Sequence, residues 1–315
     1  MHSTRAWTTF AAASVIWGIP YLFIKVAVDG GVPPAFLAWV RVVLGAILLL
    51  GICWRAGLLA TARGRLRWIA VFAVFELIGP FPLIATGEQH VDSSLAAIII
   101  AAAPLFVALL ALRFDASERV GGRRLVGLFV GLAGVAALVG VDVGGEADEL
   151  LGAAALVVAA FGYAAGPMVL KRHLSDLDPR VTMGVALAVA SVVLTPAAAL
   201  GPPDEVPPGD ALAALAVLGV VCTALGLVVY GMLVAEVGPG RALVITYINP
   251  VVALGLGIVV LDERPGVGAL LGLALILVGS WLSTGDDAHE AGDHEPSRPA
   301  PASTTDAERS LAVDR

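Results

Sequence analysis

Two charged side chains lie deep inside long apolar runs of this sequence. Glu76 stands in WIAVFAVFELIGPFPLIAT, about nine residues after that run begins, and Arg41 stands about seven residues into PAFLAWVRVVLGAILLL. Charge at such depth in a membrane helix is costly and usually marks a pathway or an ion pair. Glu76 could therefore bind and release a proton, and Arg41 could hold a substrate carboxylate with its guanidinium group. The alternative is that these two side chains simply pair with each other.

The only asparagine of the chain, Asn249, directly precedes Pro250 in the apolar run ALVITYINPVVALGLGIVVLDE. Proline removes a backbone donor and disturbs the preceding helical turn. Pro250 and Pro104 each lie about eleven residues into their runs, near mid-depth. Such breaks are tolerated where the freed backbone groups face protein or a wet cavity. We therefore predict helix breaks at both prolines, with Asn249 and Tyr247 lining the cavity; alternatively, Asn249 ties its helix to a neighbour.

Three aromatic residues could form walls for a small amphipathic substrate. Trp17 and Tyr21 share one helix face, and Tyr163 occupies the place of Trp17 in a later run. Ordinary packing is the alternative for all three. Glu118 and Glu263 each stand just before a glycine-bearing run, where a carboxylate interacts well with the helix dipole. We expect these two acids to be structural.

The bulk composition is that of a membrane protein. The chain has 315 residues, of which 58 % are hydrophobic and 14 % charged, and its mean hydropathy is +0.91. Ten apolar runs have about the length that a spanning helix needs. They start near Trp7, Pro34, Trp68, Ser93, Gly122, Leu150, Val181, Ala211, Pro239 and Gly266. Residues 285–315 are polar and acidic, which predicts a disordered cytoplasmic tail.

Motifs for other kinds of chemistry are missing from the sequence. It has no P-loop and no nucleophile elbow, and Cys53 and Cys222 lack the spacing of metal ligands. It also lacks a basic patch with interleaved aromatic residues. We therefore expect no enzyme, no cofactor, no metal site and no nucleic-acid partner.

The loop charges predict how the chain is oriented in the membrane. Lys and Arg concentrate in cytoplasmic loops. With the N-terminus inside, thirteen of them fall on inner segments: Arg5, Arg55, Arg63, Arg65, Arg67, Arg113, Arg119, Arg123, Arg124, Lys171, Arg172, Arg180 and Arg241. The outer loops hold only Arg264 and a series of acids that includes Glu88 and Asp92. Both termini are therefore predicted to be cytoplasmic, in a cell membrane that is the inner or plasma membrane.

The chain repeats itself at an interval of about half its length. Lys25, Ala96 and Pro104 match Lys171, Ala242 and Pro250 at a separation of 146 residues; Glu118, Gly121, Gly127 and Gly134 match Glu263, Gly266, Gly272 and Gly279 at 145. Five spans per unit is an odd number, so the second unit must enter the membrane from the opposite side. Inverted repeats are typical of secondary transporters, with the site where the repeats meet. We predict repeats over 1–141 and 142–284.

Two glycine pairs indicate close helix packing. Gly127 and Gly131, and likewise Gly268 and Gly272, have the spacing that lets membrane helices approach each other. The contact could lie within one chain or between two copies, so a homodimer is one expectation.

The sequence resembles the EamA family of the drug/metabolite transporter superfamily over about residues 7–281. The resemblance lies in Trp17–Gly18 with Lys25, in Arg41 of WVRVVLGAILL, and in SSLAAIIIAAAPLFVALLAL with the ERVGGRRLVG that follows. The second repeat carries the same terminal pattern but has Tyr163 in place of Trp17 and no counterpart of Arg41. The resemblance implies a ten-helix, exporter-type carrier of small metabolites or drugs, often driven by protons.

Residues and resemblance together predict an all-α, polytopic protein of ten transmembrane helices in two inverted five-helix repeats. Its expected function is alternating-access transport of small organic solutes such as amino acids, metabolites or drugs. Export is the expected direction, and coupling to protons would act through Glu76. The alternatives are a membrane-embedded sensor or enzyme on the same scaffold, and a facilitator or importer.

Overall fold

The computed structural model describes residues 4–114, 122–141, 146–237 and 245–284. Within these ranges every regular element is helical. The first half contains α1 (Thr4–Gly18), α2 (Pro20–Asp29), α3 (Pro34–Arg55), α4 (Leu66–Ala73), α5 (Pro80–Glu88), α6 (Ser93–Ile100), α7 (Ala103–Phe114) and α8 (Gly122–Val141). The second half contains α9 (Ala147–His173), α10 (Pro179–Leu200), α11 (Gly209–Ala216), α12 (Gly226–Val237), α13 (Ile245–Val260) and α14 (Val267–Thr284). The acidic tail and Glu118 lie outside the described residues.

Seven helical stretches are long and apolar enough to cross a membrane: Trp7–Asp29, Pro34–Arg55, Leu66–Glu88, Ser93–Leu110, Ala147–His173, Pro179–Leu200 and Gly209–Leu233. Three shorter apolar helices lie at Leu125–Leu138, Ile245–Val260 and Val267–Leu282. The apolar runs therefore correctly predicted an all-helical membrane protein in the part of the chain that the structure describes.

Four of the long stretches are interrupted along their length. The first is divided at Ile19, directly before Pro20, and the fourth at residues 101–102, directly before α7, whose second residue is Pro104. The third, Leu66–Glu88, and the seventh, Gly209–Leu233, which is the eighth of the ten predicted runs, each widen into a π-helical segment, Val74–Ile78 and Val217–Leu225. Because π-helical turns are rare and frequently occur at functional sites, these two segments draw attention to the side chains that they carry.

The helix α13 does not follow the expectation of a break at Pro250. It continues from Ile245 to Val260 with Pro250 inside it. A proline removes one backbone hydrogen bond but leaves most of the other helical bonds in place, so a helix can continue through a proline. The two repeats therefore differ here, since the fourth span is interrupted and α13 is continuous.

Helices α8 and α14 pack closely through their glycines. A Cβ atom added to Gly134 would lie 3.0 Å from the carbonyl oxygen of Gly272, and one added to Gly279 would overlap the backbone of Gly131. Residue numbers rise along one helix as they fall along the other, so the helices are antiparallel. The close glycine contact that the sequence suggested therefore lies within one chain.

Helices α3 and α10 form a second extensive contact, which is also antiparallel. The indole Nε1 of Trp39 donates a hydrogen bond of 3.0 Å to the hydroxyl of Thr195. Further along, a Cβ atom on Gly45 would lie 3.2 Å from Leu187, and one on Gly184 would lie 3.4 Å from Leu49. A buried cluster built mainly from α3, α4, α5 and α10 surrounds this contact.

Candidate functional site

Arg41 is buried and connects the two halves of the molecule. Its Nε donates a 2.9 Å hydrogen bond to the hydroxyl of Thr223, and its guanidinium lies 3.8 Å from the ring centroid of Phe81. Thr223 belongs to the second π-helical segment, and Phe81 to α5. No hydrogen bond from the two terminal nitrogens of Arg41 is found in the described residues. The guanidinium of Arg41 is therefore held in place, while the N–H groups of its terminal nitrogens have no acceptor among the described residues.

Glu76 lies in the first π-helical segment and faces α9. A Cβ atom added to Gly166 would overlap its carboxylate, and one added to Gly162 would lie 2.7 Å from the carbonyl oxygen of Phe75. The two glycines of α9 thus make room for the widened turn. The Oε2 atom of Glu76 is buried without a hydrogen-bond partner in the described residues. In this conformation Glu76 and Arg41, both among the described residues, form no ion pair, and Arg41 contacts Thr223 and Phe81.

The aromatic residues named from the sequence lie around these two charged groups. Trp17 stacks on Tyr230 with ring centroids 4.9 Å apart and planes tilted by 30°. Tyr21 lies within electrostatic range of Tyr163 and Arg41, and Tyr163 lies within range of both Arg41 and Glu76. The structure therefore brings Tyr21 and Tyr163 near the charges, and Trp17 is connected to them through Tyr230, which lies within electrostatic range of Glu76.

Asn249 bridges two helices. With its amide nitrogen turned toward the backbone, it donates to the carbonyl of Ile245 at 2.9 Å and to that of Ser14 in α1 at 3.2 Å. Both bonds are to backbone, which matches the alternative that Asn249 ties its helix to a neighbour. Tyr247, two residues earlier, is partly exposed.

Glu263 is buried and binds the beginning of α6. Its Oε1 accepts hydrogen bonds from the backbone N–H and the hydroxyl of Ser93, at 2.8 and 2.6 Å. Its Oε2 accepts from the N–H of Ser94 at 3.0 Å and from the Ser94 hydroxyl. We refer to Glu263, Ser93 and Ser94 as the Glu263 clasp. The expected structural role thus acts on a helix of the other half, rather than on α14, which follows Glu263 in sequence.

Sequence reasoning missed three residues of this region: Thr223, Tyr230 and Glu88. Glu88 was assigned to an outer loop, yet it ends α5 and is 0 % exposed. Tyr230 could have been found, because it is one of only four tyrosines and all four lie in apolar runs. Thr223 gave no signal, because an isolated threonine in an apolar run is usually bonded to its own helix.

Comparison with known proteins identifies the family of this chain. The model of the EamA-like transporter family matches residues 5–140 and again residues 150–285. A probable terminal-alkyne amino-acid exporter of Streptantibioticus cattleyicolor is 30 % identical over 291 residues, covering 90 % of this chain and 94 % of the relative. A probable amino-acid metabolite efflux pump of Escherichia coli K12 is 25 % identical, covering 85 % and 91 %. The uncharacterized inner membrane transporter YedA of the same strain is 27 % identical, covering 78 % and 79 %.

A solved crystal structure shares the fold. It superposes with a TM-score of 0.63 at 20 % sequence identity, covering 89 % of this chain and 97 % of the other. The relatives are named as transporters, and the family match extends over both halves. The chain therefore belongs to the EamA-like transporter family and is a multi-pass membrane transporter.

Proposed function

We propose that this protein is a secondary carrier that exports small organic solutes, amino acids or related metabolites, by alternating access. The observation that carries the proposal is the position of Arg41. It is a buried cation held between the two halves of the molecule by Thr223 and Phe81, with its terminal donors unused among the described residues. A guanidinium with free donors matches the two oxygens of a substrate carboxylate.

The proposed architecture is ten membrane crossings in two inverted repeats, 1–141 and 142–284. Helices α8 and α14 are the fifth segments of the two repeats, and they touch in antiparallel orientation through Gly134 and Gly272. Helices α3 and α10, the second segments, are also in antiparallel contact through Trp39 and Thr195. If equivalent helices of two repeats are antiparallel, the two repeats have opposite orientations. This supports a carrier in which one half rocks against the other.

The proposed orientation places both termini in the cytoplasm. The support is the arginine-rich composition of the segments around Arg63, Arg65 and Arg172, against the acidic loops around Glu146 and Glu205. A relative is named as an inner membrane transporter, which supports the same membrane for this chain.

The proposed cargo is a solute with a carboxylate and an apolar portion. Arg41 would bind the carboxylate, and Tyr21, Tyr163 and the stacked Trp17 and Tyr230 would contact the apolar part. Two relatives are named as exporters or efflux pumps of amino acids or their metabolites, which supports this class and the outward direction.

Counterflow in liposomes tests the function. The purified protein is reconstituted, loaded with one unlabelled amino acid at a time, and offered the labelled form outside. Saturable counterflow of carboxylate-bearing solutes, absent from protein-free liposomes, is the expected result. Chemical conversion of the solute, or no exchange with any member of a broad panel, would contradict the proposal. Equilibration without uphill movement under any ion gradient would identify a facilitator instead.

Coupling to protons is proposed to act through Glu76. One oxygen of this carboxyl group, Oε2, is buried without a hydrogen-bond partner among the described residues. Burying it costs less for the neutral acid than for the anion, which suits a proton carrier. We predict that Glu76→Gln abolishes uphill transport driven by a pH gradient and leaves counterflow intact, because exchange needs no net proton movement. The matched control is Glu205→Gln, at an exposed loop carboxylate. Uphill transport unchanged in Glu76→Gln would remove Glu76 from the coupling mechanism.

A further inference from the structure

The third span carries a second buried carboxyl group that the proposed mechanism does not use. Glu88 is 0 % exposed, and neither of its carboxyl oxygens has a hydrogen-bond partner in the described residues. It lies twelve positions after Glu76, which is about 18 Å of helix at the standard rise. The third span therefore holds one carboxyl group at mid-depth and another at its end.

The charged groups around Glu88 come from three other elements. Lys25 and Asp29 of α2, Arg41 of α3, and Glu263 after α13 all lie within electrostatic range of it. Among these, Glu263 already accepts four hydrogen bonds in the Glu263 clasp. Glu88 has no such donors among the described residues, and a buried carboxyl group without donors costs less as the neutral acid than as the anion.

Lys25 provides the partner that an ionised Glu88 would need. Its ammonium nitrogen donates to the backbone carbonyl oxygen of Glu88 at 3.1 Å and forms an ion pair with Asp29 at 3.0 Å. The ammonium group of Lys25 thus already contacts Glu88, but it contacts the backbone oxygen and not the carboxyl group. Rotation of two flexible side chains would bring it to the carboxylate, and Asp29, which is exposed, would then be solvated by water.

We propose that Glu88 is a second proton-binding group of this carrier, and that it alternates between a neutral, unpaired state and an ion pair with Lys25. Uptake of one proton from water neutralises the Glu88 carboxylate and returns Lys25 to Asp29. Loss of that proton to water restores the ion pair. The proposal rests on the proposed function for its role in transport, where Glu88 would exchange protons at one membrane face and Glu76 at mid-depth.

Infrared difference spectroscopy on the purified full-length protein tests the protonation itself, without any substrate. The carbonyl stretch of a protonated carboxyl group is followed while the pH is varied. We expect Glu88→Gln to remove one pH-dependent carboxyl band that wild type and the Glu205→Gln control both retain. Lys25→Met removes the cation that favours the ionised form, so the same band should persist to higher pH. A spectrum unchanged in Glu88→Gln, or a band unmoved in Lys25→Met, would overturn the proposal.

A transport measurement distinguishes failure of this inference from failure of the proposed function. If wild type carries out uphill transport driven by a pH gradient, Glu88→Gln should lose it and keep counterflow. If wild type itself shows no such transport, the coupling part of the proposed function fails. The infrared bands of Glu88→Gln and Lys25→Met still decide whether Glu88 binds a proton in partnership with Lys25.

Discussion

At the scale of single residues, the geometry of Arg41 supports its proposed role in binding a substrate carboxylate. A guanidinium stacked on Phe81 and fixed through Nε by Thr223 is oriented in advance, so little entropy is lost when a carboxylate arrives. A lysine at this position would keep the charge but would lose both the stacking and the fork of donors.

We predict that Arg41→Gln weakens binding of carboxylate-bearing solutes by about 2 kcal/mol, or roughly 30-fold in affinity. Arg41→Lys should have an intermediate effect, since it keeps only the charge. The measurement is the concentration dependence of counterflow in liposomes. Amides of the same solutes, which lack the carboxylate, serve as the control ligands. Equal losses for the acid and the amide would show that Arg41 is structural.

The residues that carry charge could be found from the sequence, whereas their partners could not. Glu76 and Arg41 stand out because each interrupts an apolar run. The pairing of Arg41 with Thr223 joins residues 182 positions apart, and it depends on a widened turn in the eighth span. No local pattern marks that turn. Glu88 was misplaced for a similar reason, because a carboxylate at the end of an apolar run normally reaches solvent.

At the scale of elements, the two π-helical segments and the Glu263 clasp lie where helices of the two halves meet. The segments Val74–Ile78 and Val217–Leu225 occupy corresponding spans and carry Glu76 and Thr223. In the clasp, a carboxylate satisfies N–H groups at the beginning of α6 that no helical bond can reach.

We predict that Glu263→Ala destabilises the protein by about 3 kcal/mol, because it leaves buried donors of Ser93 and Ser94 without an acceptor. Glu263→Gln should cost less, since its amide oxygen still accepts. The measurement is thermal unfolding in detergent, with Glu205→Ala as the control. A melting temperature of Glu263→Ala equal to that of the control would show that the clasp adds no stability.

The start of α10 gives a prediction for pH dependence. Asp178 precedes this helix, outside the spans, and accepts a 2.8 Å hydrogen bond from the N–H of Arg180 as well as bonds from its guanidinium. Hydrogen bonds from Arg180 lower the pKa of Asp178. Its stabilising effect is therefore complete above the pKa of the unfolded chain, about 4, and is lost as the pH falls through the lower folded value.

We accordingly expect Asp178→Ala to cost about 1 kcal/mol of stability at neutral pH, as for other helix caps. The difference from wild type should shrink below about pH 4. Thermal unfolding in detergent at several pH values measures this. A difference that stays constant on acidification would mean that the charge of Asp178 contributes nothing.

At the scale of the whole molecule, the distribution of apolar runs predicted where several helices begin, while the start expected near Pro239 lies outside the described residues. Helices α3, α6 and α8 begin at the residues expected, and those that begin at Ala147, Pro179 and Val267 start within three residues of the expected positions. Length and hydrophobicity determine where a chain can cross a bilayer, so this level needs no tertiary information. The interruptions within spans were harder to predict from the sequence. Pro104 marked one of them, but the widened turns at Glu76 and Thr223 contain no proline.

The proposed inversion makes a prediction about loop accessibility. In a variant without Cys53 and Cys222, single cysteines at Arg63 and Arg172 should react with a membrane-impermeant thiol reagent only from the cytoplasmic side. Cysteines at Asp148 and Glu205 should react only from outside. Substitution of each position by serine is the control for function. Labelling of Arg63 and Asp148 positions from the same side would exclude the inverted arrangement.

The Glu263 clasp has a consequence for the independence of the two halves. The serines that it binds belong to the first half and the carboxylate to the second, so each half contributes what the other lacks. A fragment that contains only one half would bury polar atoms of the clasp without their hydrogen-bond partners. The halves have thus become complementary pieces: produced singly they should be degraded, and produced together they should reassemble into a working protein.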